Sequence, residues 1–175
     1  MIELTQFKHC PSCGKPSVKD KDPKAMVCTS CGYVYYHNTA AAVAAVIEVE
    51  DKILLTVRAH EPKAGMYDCP GGFVDYNESA EEACRREIRE ELGVDIEVQG
   101  FLGTFPNRYE YRSVIYHTTD IFLVCRFTDE SAVLRPNDEL LSVKYFTPEE
   151  IPFERLGFES MKLGLGEYVR RREME

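Results

Sequence analysis

Four cysteines in two pairs constrain the N-terminal part of this sequence more than any other feature. Cys10 and Cys13 form the first pair and Cys28 and Cys31 the second, with fourteen residues between the pairs. Each pair has the Cys-x2-Cys spacing that delivers two thiolates to one tetrahedral zinc ion, and the glycine that follows each pair permits a tight turn. The intervening residues are mostly polar and include two prolines, so a bound metal would have to supply the stability. We predict a structural zinc ribbon over residues 1–37, the alternative being four unrelated cysteines.

The length and charge of the chain limit its function class. It has 175 residues, a net charge of −9 and 44% hydrophobic residues, which indicates one globular domain with a small extra module. An acidic chain disfavours tight nucleic-acid binding, although a bound cation would still allow a phosphorylated substrate. The longest apolar run, from Ala40 to Ile47, has the length of a strand rather than of a membrane span. The N-terminus does not resemble a signal peptide, so we expect a cytoplasmic protein whose cysteines are thiols or metal ligands.

Residues 38–175 are expected to form the second domain. Alternating aromatic and β-branched residues predict strands on both sides of a turn at Glu50-Asp51. Residues 65–77 are rich in glycine and turn formers and predict a loop, and further strands are expected over residues 94–102 and 114–127. The C-terminal segment predicts one amphipathic helix, with its glycines as candidate break points and these apolar residues in the core: Leu156, Phe158, Met161 and Leu163.

A helix in the middle of the chain has clear start and stop signals. Ser79 is a good N-cap, and Glu82 lies three residues later, as a capping box requires. The helix is predicted to run from Ala80 to about Leu92, and Gly93 is well placed to end it. Its apolar stripe has i,i+4 spacing and consists of Ala80, Cys84, Ile88 and Leu92.

The same helix carries a second face made of glutamates. At about 100° per residue, Glu87, Glu90 and Glu91 fall within one narrow sector. Glu87 and Glu91 are a like-charge i,i+4 pair, which costs an isolated helix a few tenths of a kcal/mol. A divalent cation that prefers oxygen ligands would offset this cost. The alternative is a solvated acidic face that Arg86 and Arg89 neutralise.

The wider segment resembles the signature of the Nudix hydrolases, G-x5-E-x7-R-E-U-x-E-E-x-G-U, in which U is apolar. Every fixed position of that signature is present here, in the residues Gly72, Glu78, Arg86, Glu87, Ile88, Glu90, Glu91, Gly93 and Val94. The preceding Cys69-Pro70-Gly71 is similar to the residues that introduce the motif in that family. The resemblance implies an α/β fold, a Nudix α/β/α sandwich with a mixed sheet, preceded here by the four-cysteine ribbon. It also favours a homodimer.

The resemblance further implies a divalent metal site for Mg²⁺ or Mn²⁺. Glu87 and Glu91 would be the principal ligands, and Glu90 a further ligand or a water-activating group. Gly71 would line the metal and phosphate pocket.

Glu78 would support that site and Arg86 would orient the glutamates. Family members often take one more glutamate from a late loop, for which Glu139 is the best candidate and Asp138 the next. The alternative for Glu139 is a plain loop carboxylate. The predicted catalytic groups are therefore Glu90, Glu91, Glu139 and Arg86.

The reaction that the resemblance implies is hydrolysis of a nucleoside diphosphate linked to another moiety. Metal ions would neutralise the diphosphate and lower the pKa of a bound water, and a carboxylate would accept its proton. No cysteine nucleophile is required, so Cys69, Cys84 and Cys125 are interpreted as core thiols.

A zinc ribbon ahead of this domain is similar to the arrangement of the NADH pyrophosphatases. Those enzymes carry a second motif, SQPWPFP, of which only Phe105-Pro106 remains here, and the chain has no tryptophan. We therefore expect ADP-ribose or a related nucleotide sugar as substrate, with NADH or NAD⁺ as the alternative. A non-catalytic nucleotide sensor is a further alternative, and RNA end processing is disfavoured by the net charge. Aromatic faces and arginines are expected to bind the nucleotide, the candidates being Arg58, Phe105, Arg108, Tyr109, Tyr111, Arg112 and Tyr116.

Overall fold

The chain forms two sheets that follow one another in sequence, as a computed structural model shows. The structure describes residues 7–112 and 114–174. The first sheet has three antiparallel strands, β1 (Val18–Asp22), β2 (Ala25–Cys28) and β3 (Val34–Tyr36). The strands of the second sheet begin at Ala40. All four cysteines of the predicted ribbon lie in or next to the first sheet.

The second sheet has six strands and is mixed. In chain order they are β4 (Ala40–Val49), β5 (Lys52–Arg58), β6 (Tyr67–Asp68), β7 (Ile96–Tyr111), β8 (Val114–Phe127) and β9 (Leu140–Phe146). The spatial order is β6-β5-β4-β8-β7, and β9 pairs with β5. Only β4 and β8 pair in parallel among these described strands. The turn at Glu50-Asp51 joins β4 to β5 as predicted.

Two helices cover opposite faces of this sheet. They are α1 (Ala80–Leu92) and α2 (Glu159–Arg172), and short 3-10 turns at Pro148–Glu150 and Phe153–Arg155 precede α2. Alternate residues of β4 point to opposite faces. Ala45 and Ile47 pack with the apolar stripe of α1, whereas Ala44 and Val46 pack with α2. The predicted α/β/α sandwich with a mixed sheet is therefore confirmed.

Some sequence-based boundaries were wrong. Strand β7 extends nine residues further than the predicted end at Leu102, to Tyr111, and pairs with β8 along its whole length. The predicted loop over residues 65–77 contains β6, because Tyr67 and Asp68 pair with β5. Leu163 was predicted in the core but is 44% exposed. Helix α2 passes through its glycines without a break, because Gly164 lies against the ring of Phe122.

The C-terminal helix also covers the outer strand of the sheet. Strand β7 is the last strand in the sheet order, so one of its sides has no neighbouring strand among the described residues. The guanidinium of Arg171 in α2 donates hydrogen bonds to the backbone carbonyls of Phe101 and Leu102, at 3.4 and 2.5 Å. Within the described ranges, no helix is long and apolar enough to cross a membrane.

A row of ring contacts joins the ribbon to the second sheet. Phe7 and Tyr35 of the ribbon lie 5.1 Å apart, Tyr35 and His37 lie 6.4 Å apart, and His37 lies 6.3 Å from Tyr116 of β8. The ribbon therefore packs against the hairpin that β7 and β8 form.

Candidate active site

The helix that carries the glutamates is fixed at both ends. Ser79 Oγ accepts a hydrogen bond from the Glu82 backbone N–H at 3.2 Å, and Glu82 Oε2 accepts one from the Ser79 N–H at 2.7 Å. At the other end Gly93 has a φ of 69° and its N–H donates to the Arg89 carbonyl. The predicted capping box, helix bounds and terminal glycine are confirmed. These caps fix the register in which α1 presents its glutamates.

Glu91 is the most buried of these glutamates. It is 8% exposed, and its Oε2 accepts a hydrogen bond of 3.0 Å from the Gly71 backbone N–H. Burial raises the pKa of Glu91 to about 8, and the nearby charges of Glu87, Asp68 and Glu139 act in the same direction. A buried carboxylate held among other carboxylates is costly unless a cation joins it.

Arg86 links three of the glutamates. Its guanidinium donates to both oxygens of Glu78, at 2.6 and 3.1 Å, to Glu87 at 2.9 Å and to Glu90 at 3.3 Å. It also donates to the Phe73 carbonyl at 3.0 Å. These bonds raise the pKa of Arg86 and hold the pKa of Glu78 below its ordinary value. Arg86 therefore lies where it can orient the carboxylates.

Two glycines bring the preceding loop against β4 and α1. Gly71 has a φ of 147°, and a Cβ there would lie 2.1 Å from the Val43 carbonyl oxygen. A Cβ on Gly72 would lie 2.5 Å from Glu87 Oε1. Gly71 needs glycine because its φ is positive and a Cβ would meet the backbone of β4, whereas a side chain on Gly72 would displace the carboxylate of Glu87.

Glu139 approaches the same carboxylates from the loop before β9. It lines one cavity of about 410 Å³ together with Glu87, Glu90 and Glu91. Its charge contributes to the raised pKa values of both Glu87 and Glu91. The structure thus brings Glu139 to the helix glutamates, across more than forty residues of sequence.

This donor set fits a divalent cation such as those that Nudix enzymes use. Carboxylate oxygens are the ligands that Mg²⁺ and Mn²⁺ prefer, and several carboxylates share one cavity here. Burial raises the pKa of Glu87 as it does that of Glu91, and the neighbouring carboxylates act in the same direction on both. A cation at this point would offset that repulsion.

The four cysteines of the ribbon also fit a metal ion. Their sulfur atoms all lie within 4.8 Å of one another. Cys10 Sγ lies 3.8 Å from Cys31 Sγ, and Cys13 Sγ lies 3.7 Å from Cys28 Sγ. Four thiol sulfurs at these separations are consistent with a zinc ribbon, as predicted.

A larger cleft opens beside the glutamates. It has a volume of about 1000 Å³ and reaches from Gly71, Glu91 and Glu139 to the end of the β7 strand. Five of the predicted substrate-binding residues line it: Arg58, Arg108, Tyr109, Tyr111 and Arg112. Its aromatic wall centres on Tyr109, whose ring lies 6.5 Å from that of Tyr111 in a stacked arrangement and 5.6 Å from that of Phe158.

Two predicted substrate-binding residues lie elsewhere. The ring of Phe105 packs edge-on against Phe122 at 5.3 Å, inside the cluster that α2 covers. The ring of Tyr116 faces His37 of the ribbon. Neither side chain lines the cleft, since Phe105 packs in the apolar cluster under α2 and Tyr116 packs on the ribbon.

Several cleft residues were missed by the sequence reasoning. His60 and Lys63 line the cleft from the loop between β5 and β6, and Asp68 lines it from β6. Phe158 lies under the guanidinium of Arg58, 5.1 Å from ring centroid to Cζ. No local pattern in the sequence links Arg58 to Phe158, which are one hundred positions apart. Asp68 could have been predicted, because it is a charged residue directly before Cys69-Pro70-Gly71.

Comparisons with known proteins agree with this geometry. The NUDIX domain profile matches residues 37–163. The ADP-ribose pyrophosphatase of Methanocaldococcus jannaschii is 34% identical over 140 residues, which are 79% of this chain and 78% of that protein. The NAD-capped RNA hydrolase NudC of Pseudomonas putida is 27% identical over 173 residues, which are 95% of this chain but only 58% of that protein.

A solved structure extends the similarity to the whole described fold. The crystal structure of a NUDIX hydrolase from Nitrosomonas europaea has a TM-score of 0.76 at 26% identity, and the match covers 95% of this chain and 93% of that one. With the profile match over most of its length and the complete glutamate motif on a capped helix, this chain belongs to the NUDIX domain family and is a Nudix diphosphate hydrolase.

Proposed function

We propose that this enzyme hydrolyses the diphosphate of ADP-ribose or a related nucleotide sugar. The observation that carries the proposal is the junction of the carboxylate cavity with the larger cleft. The two share these lining residues: Arg58, Asp68, Cys69, Gly71, Glu91, Tyr109, Glu139 and Phe158. A diphosphate at the junction would place its flanking groups along the aromatic and cationic wall. The relative of similar length from Methanocaldococcus jannaschii is named ADP-ribose pyrophosphatase, which supports this substrate.

Glu87 and Glu91 would hold Mg²⁺ or Mn²⁺ with the backbone at Gly71, and Glu90 would be either a further ligand or the group that activates the water. When bound, the metal would neutralise diphosphate charge and lower the pKa of a water molecule. The N–H of Gly71 holds Glu91 in place, and Arg86 holds Glu87. Two carboxylates remain to accept the proton of the water: Glu90, whose side chain is 57% exposed, and Glu139 on the opposite side of the cavity.

The cleft wall would bind the two ends of the substrate. The stacked rings of Tyr109 and Tyr111 would contact the face of a nucleobase. Stacking of this kind does not depend on which hydrogen-bonding groups the edge of the base carries. Arg58, Arg108 and Arg112 supply positive charge for phosphate and ribose oxygens. Glu78 supports the metal site only indirectly, because Arg86 holds both of its oxygens.

The N-terminal part would have a structural role. We infer that residues 1–37 form a domain that holds Zn²⁺ through Cys10, Cys13, Cys28 and Cys31, and that residues 38–175 form the hydrolase domain. We propose that this protein is cytoplasmic. We further propose that the protein is a homodimer. Its binding partner would be a nucleotide substrate, and it would not bind nucleic acid tightly.

NADH or NAD⁺ is the second candidate substrate. The four-cysteine cluster ahead of the domain favours it, and so do relatives named NAD-capped RNA hydrolase NudC. This chain spans 42% of the Haemophilus influenzae relative of that name and 58% of the Pseudomonas putida one. Phe105, which belongs to the remnant of the NADH pyrophosphatase motif, packs against Phe122 here and does not line the cleft, so we favour ADP-ribose.

Turnover of ADP-ribose and NADH side by side tests the proposal. Each would be incubated with Mg²⁺, Mn²⁺ or EDTA, and AMP would be resolved by chromatography. We expect metal-dependent AMP from ADP-ribose and little from NADH, and Glu91→Gln should abolish it while the circular dichroism spectrum is unchanged. AMP from NADH alone would select the second candidate. Binding without turnover would select a nucleotide sensor.

A further inference from the structure

One buried carboxylate beside the metal-binding glutamates has no role in the mechanism above. Asp68 is 6% exposed. Its Oδ2 accepts a hydrogen bond of 2.9 Å from Arg58 Nη1. Its Oδ1 is buried and, among the residues that the structure describes, has no hydrogen-bond partner. A buried carboxylate oxygen without a partner is costly and rare, so it indicates a binding group that completes it.

The backbone fixes the position of Asp68. Asp68 in β6 pairs with Thr56 in β5, and Thr56 Oγ1 donates a hydrogen bond of 3.2 Å to the backbone carbonyl of Asp68. The side chain lines both the large cleft and the carboxylate cavity, together with Gly71 and Glu91. Asp68 therefore lies at the junction where the proposed diphosphate meets its flanking sugars.

The surroundings of Asp68 define which group can complete it. Arg58 already neutralises its charge, and that guanidinium is held by the Pro62 carbonyl at 2.9 Å and by the ring of Phe158. A phosphate oxygen cannot complete Asp68 Oδ1, because both atoms are hydrogen-bond acceptors and neither supplies a proton. A neutral hydrogen-bond donor fits this position, and the hydroxyl groups of a sugar next to the diphosphate are such donors.

We propose that Asp68 Oδ1 accepts a hydrogen bond from a hydroxyl of a sugar joined directly to the diphosphate, which makes Asp68 a specificity-determining residue. The inference rests on the proposed function and narrows it to diphosphates that carry such a sugar. Arg58, which Asp68 Oδ2 holds in place, binds the diphosphate beside it.

Three substrates test the inference in wild type, Asp68→Asn and Asp68→Ala. The first is ADP-ribose. The second is its dideoxy analogue, which lacks both hydroxyls of the adenosine ribose, and the third is the butyl ester of ADP, in which an alkyl chain replaces the other ribose. Values of kcat/KM would be measured with Mg²⁺ and Mn²⁺. The Asn variant keeps the shape of the side chain, so it preserves the test if the Ala variant does not fold.

The expected result is a loss that depends on the substrate. Asp68→Asn should lower kcat/KM for ADP-ribose by roughly 10- to 100-fold, the range for a hydrogen bond to a charged group. For the analogue that lacks the partner hydroxyl, wild type and variant should agree within about twofold, since the bond is missing in both. The analogue that behaves in this way identifies which sugar Asp68 contacts.

Other outcomes overturn the inference. An equal loss on all three substrates would mean that Asp68 acts only through Arg58 or the fold, and no loss on ADP-ribose would mean that no bond forms. If wild type cleaves none of them, the proposed function itself fails. Asp95→Asn is the matched control, because Asp95 accepts a bond of 2.9 Å from Arg89 Nε on the exposed end of α1 and should change none of the three values.

Discussion

Gly72 shows how a residue without a side chain can control a carboxylate. A Cβ at this position would lie 2.5 Å from Glu87 Oε1, and the neighbouring Cδ is 2.6 Å away. The carboxylate would have to move, and Arg86 would lose the geometry of its 2.9 Å bond to it. The glycine therefore leaves the space in which the carboxylate of Glu87 lies.

We expect Gly72→Ala to lower kcat by at least about tenfold while the fold is kept, because a misplaced ligand weakens the metal site and small displacements near the reacting atoms are costly. Steady-state kinetics over a range of Mg²⁺ concentrations would measure it. Gly100→Ala, where no atom lies within 4 Å of the new Cβ, is the control. Equal activity of the two variants would contradict the role assigned to Glu87.

Glu91 predicts a pH dependence of stability in metal-free protein. Its pKa is raised to about 8 from an ordinary value of 4.5, so the folded state holds its proton more tightly than the unfolded state does. The contribution of Glu91 to the free energy of unfolding is therefore complete at low pH. It is lost as the pH rises from about 4.5 to about 8, at about 1.4 kcal/mol per pKa unit.

Glutamine at position 91 does not titrate, so Glu91→Gln should lack this pH-dependent fall in the free energy of unfolding. In EDTA, the free energy of unfolding of wild type should fall relative to that of Glu91→Gln between about pH 5 and pH 8, as urea titrations would show. The difference between the two proteins cancels the other groups that titrate in this range. Parallel curves would contradict the raised pKa.

The grouping of the candidate glutamates on one helix face followed from the sequence, but the residues that surround them did not. Spacing alone placed Glu87 and Glu91 on one helix face, since helical geometry is local. Asp68 and Phe158 meet Arg58 only after strands β5 and β6 pair and α2 packs on the sheet, so no spacing in the sequence encodes these contacts.

At the scale of elements, the two glycines of α2 behave differently. A Cβ on Gly164 would lie 2.3 Å from the Phe122 ring, whereas nothing lies within 4 Å of a Cβ on Gly166. Gly164 lets the helix approach the sheet, and Gly166 only weakens the helix. Sequence reasoning treated both as candidate break points, because propensity does not show what a helix packs against.

Alanine should therefore have opposite effects at these positions. Gly164→Ala should destabilise the protein by about 1–3 kcal/mol through overpacking. Gly166→Ala should stabilise it by up to about 1 kcal/mol, the difference in helix propensity. Thermal unfolding of both variants would measure this, and two changes of the same sign would contradict the packing described here.

Elements with local signals were predicted closely, while elements defined by pairing were not. Helix α1 matched its predicted bounds because Ser79, Glu82 and Gly93 act within the helix itself. Strand β7 was predicted too short, because its second half contains Arg108, Asn107 and Glu110, whose strand conformation depends on pairing with β8.

At the scale of the whole molecule, the ribbon is expected to depend on its metal. The described strands β1, β2 and β3 bury few side chains, which are Ala25, Met26 and Cys28, so the sheet has a small core. The second sheet has two separate apolar clusters of its own.

Cys28→Ser should therefore remove bound zinc and unfold the ribbon while the hydrolase domain keeps its helical signal. Elemental analysis should find one zinc ion per wild-type chain, since the four cysteines form one cluster. Proteolysis should then cut the variant within residues 7–37. Cys84→Ala, which alters a buried thiol outside the ribbon, should retain zinc. Zinc retained by Cys28→Ser would contradict the site.

The hydrogen bonds from Arg171 to Phe101 and Leu102 have a consequence for self-assembly. Exposed carbonyls on an outer strand are a template on which a strand of another copy can add. The guanidinium of Arg171 already occupies two such carbonyls, and its positive charge would repel an incoming strand that carries lysine or arginine. Loss of the last turn of α2 would remove Arg171, leave these two carbonyls of β7 without their donor and favour the addition of a strand from another copy at this edge.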